Sequence, residues 1–240
     1  MKVLLLLLLL STNGLAQDAV EILRKSDEIR FPSESFEVDV NIVSTGTDSS
    51  TRVVHVMSKG NVNSIVFTKE PAIDYGQAIL MKGRDLWIFM PDLSQAIRLS
   101  MSQRLTGQVA NGDLARANFS GDYNPTIAGE EDIDGQKYFI LDLQAVDRGV
   151  TYSRVRLWVN QANYWPKKAE FFSLSGRLLK TCQYLDFQRI AGKMRPTRLL
   201  MIDAMKTGDT SDLKYSGMKL NNFPDKIFTK DYLNKIANGI

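Results

Sequence analysis

The sequence predicts a mainly β protein built on one antiparallel sheet of about eleven strands that curls on itself. Three observations predict it. Apolar and polar residues alternate over long stretches, as in Phe36-Glu37-Val38-Asp39-Val40-Asn41-Ile42, which gives each strand one dry and one wet face. Turn-forming Gly, Asn and Asp recur about every eight to fifteen residues, the spacing of a meander. Finally, only three stretches have helical character. So few helices cannot cover so many strands, and an antiparallel sheet must bury its apolar face. The sheet must therefore curl round a concave interior capped by those helices. Periodicity leaves open whether side chains fill that interior or whether it is hollow.

The elements follow in order. Lys2, the apolar run 3–10 and the small residues of Gly14-Leu15-Ala16 have the layout of a secretory signal peptide over residues 1–16, cleaved after Ala16. The apolar run is far shorter than the ~20 residues that span a bilayer. No cysteine follows the cleavage position, so there is no lipobox cysteine for a lipid anchor. Residues 17–240 are expected to form one soluble, exported domain. Residues 18–30 read as a helix with Ala19, Ile22, Leu23 and Ile29 on one face, ended by Pro32. Strands are expected at 36–42, 52–57, 62–68, 77–82 and 85–90, with 96–99 able to pair behind them. The rhythm breaks between residues 100 and 124, where a short helix is expected at 113–119. Strands resume at 126–132, 137–145, 152–160, 167–173, 178–190, 195–206 and 210–220. A closing helix at 229–238 has Thr229 as its N-cap.

Several function classes lack their parts. The 30 basic and 27 acidic side chains are interspersed, which argues against nucleic acid as a partner. Cys182 is the single cysteine, so no intramolecular disulfide can form. His55 is the single histidine, in a strand beside Val53 and Met57, where such a residue is ordinarily half-buried structure. With one histidine and one isolated cysteine there is no zinc set and no Ser-His-Asp or Cys-His constellation, and Gly-x-Ser-x-Gly, Walker and Gly-x-Gly-x-x-Gly motifs are missing. Glu130-Glu131-Asp132 reads as a solvated hairpin, because adjacent strand residues point to opposite faces. The sequence predicts no enzyme and no cofactor.

Leu86-Trp87-Ile88-Phe89-Met90-Pro91 with Arg98, Phe119-Ser120-Gly121-Asp122-Tyr123 and Gly129-Glu130-Glu131-Asp132-Ile133-Asp134-Gly135 form an ordered series. It continues through Tyr152-Ser153-Arg154-Val155-Arg156-Leu157-Trp158-Val159, Pro166-Lys167-Lys168-Ala169-Glu170-Phe171 and Gly176-Arg177-Leu178-Leu179-Lys180-Thr181. Pro196, Thr210 and Phe228-Thr229 complete it. In order and spacing this series resembles the bacterial outer membrane lipoprotein-sorting family, relatives of the periplasmic carrier LolA and the receptor LolB. The resemblance implies an incomplete, half-open antiparallel β-barrel of about eleven strands with a helical lid over a hydrophobic cavity. It also implies a periplasmic carrier that binds acyl chains of lipoproteins or other lipids for transfer toward the outer membrane. Its partners would be an inner-membrane exporter and an outer-membrane acceptor, with transient membrane contact.

Such a cavity has a physical rationale. At roughly 0.8 kcal/mol per CH₂, a sixteen-carbon chain gains about 12 kcal/mol on leaving water, so a carrier must offer an interior nearly as apolar as the bilayer. The candidate wall is Val38, Val40, Ile42, Val54, Val56, Ile65, Phe67, Leu80, Trp87, Phe89, Phe139, Leu141, Leu143, Val155, Leu157 and Val159. Leu114 and Phe119 are the candidate lid residues. Around residues 86–90 both faces are apolar, and alternation cannot assign the inner one. The alternative is a non-catalytic accessory or scaffold subunit of an envelope lipid exporter, whose mark would be a packed interior.

Overall fold

The structure, a computed structural model, describes residues 13–237 apart from Asp92, Ser94 and Ala117. The signal peptide expected over residues 1–16 rests mainly on residues 1–12, which lie outside the described residues. Helix α1 (Asn13–Arg30) begins five residues ahead of the helix read from the sequence and ends where that reading ends it. Pro32 stops it, since the residue before a proline is pushed out of the helical region.

An N-terminal meander follows: β1 (Phe36–Thr45), β2 (Ser50–Lys59), β3 (Asn63–Glu70), β4 (Ala78–Lys82), β5 (Asp85–Phe89) and β6 (Ile97–Leu99). A second meander comprises β9 (Tyr123–Ile133), β10 (Gln136–Ala145), β11 (Arg154–Asn160), β12 (Pro166–Phe172), β13 (Leu178–Ile190), β14 (Lys193–Asp203) and β15 (Thr210–Leu220). Between them lie the hairpin β7 (Arg104–Thr106) and β8 (Val109–Ala110) and helix α2 (Asn111–Ala115). The expected helix at 113–119 is thus shorter and starts two residues earlier.

The two meanders make one sheet of 13 strands in the order β6-β5-β4-β3-β2-β1-β15-β14-β13-β12-β11-β10-β9. The expectation of about eleven is too low: each of the thirteen stretches read as able to form a strand, including the short 96–99, contributes one to the sheet. Sequential strands pair except at one seam, where β1 pairs antiparallel with β15. Strands β6 and β9 form the two edges, and the sheet is not closed. Both edges carry features that resist pairing with another chain: β6 is short, and β9 holds Pro125 and the charged run Glu130, Glu131 and Asp132.

Helix α1 packs against β9, β12 and β14, while α2 contacts β2, β3 and β4. Both touch the inner face. The hairpin before α2 crosses the seam at Gly107, where a Cβ would come within 2.0 Å of the Ser44 hydroxyl and 2.4 Å of that of Ser211. Helix α3 (Lys230–Ala237) closes the described chain. Its expected cap is present: the Tyr232 N–H donates to the Thr229 hydroxyl at 3.3 Å.

Candidate functional site

The inner face is continuous and apolar. Val38, Val40 and Ile42 of β1 stand beside Val54 and Val56 of β2, paired Val40 to Val54 and Val38 to Val56. Phe139, Leu141 and Leu143 of β10 face Val159, Leu157 and Val155 of β11 in the same buried cluster. Leu114 and Phe119 join that cluster from the segment between the meanders. Ile65, Phe67, Leu80, Trp87 and Phe89, expected in the same wall, lie elsewhere. The pairings Ile65 to Leu80 and Leu80 to Trp87 put them on the opposite face. There they form a second cluster with Phe223, Ile227, Phe228 and Leu233 of the C-terminal segment. The reason is that β3 to β5 are apolar on both faces, so alternation gives no preference. Inward from these strands point Val66, Ile79, Met81, Leu86 and Ile88. The inner face also includes Phe171, Cys182, Tyr184, Leu199, Met201 and Tyr215 of β12 to β15. The alternation in Thr181-Cys182-Gln183-Tyr184 was the available signal for two of them.

What holds the inner segments is polar and buried. Asp27 of α1, 3% exposed, accepts from the backbone N–H of Phe119 at 3.0 Å and of Ser120 at 2.7 Å. Arg30 donates to the same carboxylate at 2.9 Å and lies 3.9 Å from the Phe119 ring centre. Burial opposes the charge on Arg30, but Tyr184 and Asp27 outweigh it and raise the pKa above its ordinary value. Asp113 of α2 accepts from the Lys180 ammonium at 2.6 Å, the Tyr152 hydroxyl at 2.9 Å and the Ala110 N–H at 2.8 Å. Lys180 is 4% exposed. Burial holds the Tyr152 hydroxyl well above its ordinary pKa, so it stays a donor. Arg116 pairs with Asp122 and donates to the carbonyls of Asn61 at 2.6 Å and Gly83 at 2.9 Å. Arg195 of β14 donates to the Glu28 carbonyl at the C-terminal end of α1, 2.6 Å away, where a cation also suits the helix dipole.

Two cavities flank these attachments. One of 20 Å³ lies among Phe36, Val38, Val56, Leu114 and Tyr215. The other, of 30 Å³, is bounded by Arg30, Phe119, Tyr152, Phe171, Cys182 and Tyr184. Each is of the order of one or two water molecules, whereas sites for whole ligands run to roughly 300–1,000 Å³. The interior beneath residues 111–119 is filled by side chains. Cys182 lies at its centre as a free thiol, its pKa pushed up to about 12 by burial, and such a thiol is chemically inert. His55 faces outward, half-buried, its Nδ1 2.7 Å from Asp39. Among the described residues no group of three or more His, Cys, Asp or Glu could hold a metal ion, and no helix is long and apolar enough to cross a membrane.

An unclosed antiparallel sheet folded round an apolar interior, with helices on its inner face, is an open, incomplete β-barrel. The chain belongs to the LolA superfamily. It is 61% identical to a LolA superfamily protein from Nitrosomonas europaea, with a TM-score of 0.86, covering 89% of this chain and 98% of that one. A putative outer membrane lipoprotein-sorting protein domain from Vibrio parahaemolyticus has the same fold at 22% identity. Its TM-score is 0.78, with 91% of this chain and 99% of that one covered. A family model described as "Uncharacterized protein" matches residues 60–235. No curated protein matches.

Proposed function

We propose that this protein is a non-catalytic carrier, exported to the periplasm, that takes acyl chains of lipoproteins or lipids into the interior of the sheet for transfer toward the outer membrane. The observation that carries the reading is an apolar inner face covered by a segment whose attachments are ionic. Buried ion pairs give little net stability compared with apolar side chains of the same size, yet their geometry is specific. A cover held in this way returns to one position. On this reading the cover lies over the sheet in its closed position. The residues that yield to cargo are Leu114, Ala115 and Phe119, which act as the lid, while β1, β2, β10 and β11 supply the wall. An inner-membrane exporter would load the carrier and an outer-membrane acceptor would unload it.

The filled interior favours a second reading, a scaffold subunit of an envelope lipid exporter that holds no lipid. Two measurements separate the readings: native mass spectrometry of protein purified from the periplasm, and uptake of a fluorescent fatty acid by delipidated protein. A carrier shows stoichiometric bound lipid or saturable uptake. Neither bound lipid nor uptake ends the carrier reading.

A further inference from the structure

The connections between β10 and β11, β12 and β13, and β14 and β15 leave the sheet at the same end. They are neighbours, because β10 to β15 are consecutive in the sheet. Each exposes one large apolar side chain: Val146 at 40%, Leu174 at 76% and Met205 at 55%. Each also carries an exposed cation within three residues, namely Arg148, Arg177 and Lys206. The nearby carboxylates are engaged. Asp147 pairs with Arg84, Asp203 accepts from the N–H groups of Met205 and Lys206, and Asp209 accepts from the Thr47 N–H at 2.9 Å and stands 3.9 Å from Lys206. Between the first two tips lies a cleft of 400 Å³ lined by Arg148, Arg154, Ser153, Ser173 and Leu174, and by Asp147, whose carboxylate is turned to Arg84. The Arg154 guanidinium rests on the Phe172 ring at 4.0 Å, with Asp142 3.6 Å away.

We propose that these three tips are the surface by which the protein docks on an anionic lipid bilayer. Leu174, Met205 and Val146 enter the interfacial layer, Arg148, Arg177 and Lys206 face the phosphates, and the cleft seats one lipid phosphate between Arg148 and Arg154. Single apolar side chains on separate turns suit a bilayer, which yields around each of them. A protein partner needs about 800 Å² of continuous, complementary surface per side. Short polybasic clusters and inserted apolar side chains together are the recognised means of binding such a surface. The third tip also leads inward, since Met205 and Asp203 share a groove of 160 Å³ with Lys180 and Tyr152, the partners of Asp113. The inference rests on the carrier reading for its purpose, but membrane contact and acyl uptake are separate measurements.

Flotation of the full-length protein with phosphatidylcholine vesicles, with and without about one third phosphatidylglycerol, tests it. Binding is expected on the anionic vesicles and is expected to fall with salt. It should weaken roughly tenfold in L174S/M205S and in R148E/R177E, while both variants keep the wild-type melting temperature and fatty-acid uptake. No binding, equal binding to neutral vesicles, or wild-type binding by both variants overturns the proposal. So does a loss that follows Ile73→Ser alone, which would move the contact to the tip between β3 and β4. If the wild type binds vesicles but takes up no fatty acid, the carrier reading fails and the docking surface stands.

Discussion

Asp113 collects a lysine, a tyrosine and a backbone amide at one carboxylate, and among the described residues it is the carboxylate that pairs with this lysine. Replacing only Asp113 leaves a buried ammonium uncompensated, which costs about 3–5 kcal/mol. Asp113→Asn should therefore lower the urea midpoint more than the double variant D113N/K180M, in which the charge is removed too. A single variant no less stable than the double would contradict the pairing. No sequence signal identified this network. Asp27, Arg30, Asp113 and Lys180 look like ordinary solvated charges, and only the register that buries them tells them apart. The inner-face valines of β1 and β2 were readable because strict alternation leaves one apolar face. Cys182 and Tyr184 carried the same signal, unlike the paired charges.

At the scale of elements, the C-terminal segment explains the misplaced wall. Strands β3, β4 and β5 are apolar on both sides because each side has its own cover: the 100–122 region within, and residues 223–233 without. Both covers are themselves irregular, and the period of a strand carries no information about which cover it meets. Phe228, 1% exposed, is one of the most deeply buried side chains of the outer cluster. Phe228→Ala should cost about 3–5 kcal/mol in a denaturant titration and leave fatty-acid uptake unchanged. Loss of uptake with stability retained would instead assign that cluster to the cargo site. Helix α2 is held at Gly112, whose would-be Cβ lies 2.0 Å from the Thr151 hydroxyl, a close approach between the helix and a loop distant in sequence.

For the whole molecule, the seam between β1 and β15 is what makes two meanders one sheet. On its outer side Glu37 accepts from Lys219 of β15 across the seam at 2.7 Å, while Asp39 accepts from Lys69 of β3 at 2.8 Å and His55 of β2 at 2.7 Å on the other side of β1. The Lys219 bond chiefly holds Glu37 below its ordinary pKa; at Asp39, burial works the other way but Lys69 and His55 prevail. Groups depressed in the folded state contribute stability above their ordinary values of 4.5 and 3.8 and lose it as pH falls through the folded values. Stability should therefore be level near neutrality and fall below about pH 4.5. The fall should be shallower in E37Q/D39N, measured by thermal melts across pH; parallel profiles would rule out this source. Alternation and turn spacing made the curled sheet predictable, but not the seam, whose partners Thr45 and Thr210 lie 165 residues apart. The same separation orders assembly in time. The strand that receives β1 is nearly the last to emerge, so a chain threaded from its N-terminus cannot complete its shell early. Until β15 has formed, β1 keeps an unpaired edge, so joining the two meanders is the late, long-range step of folding.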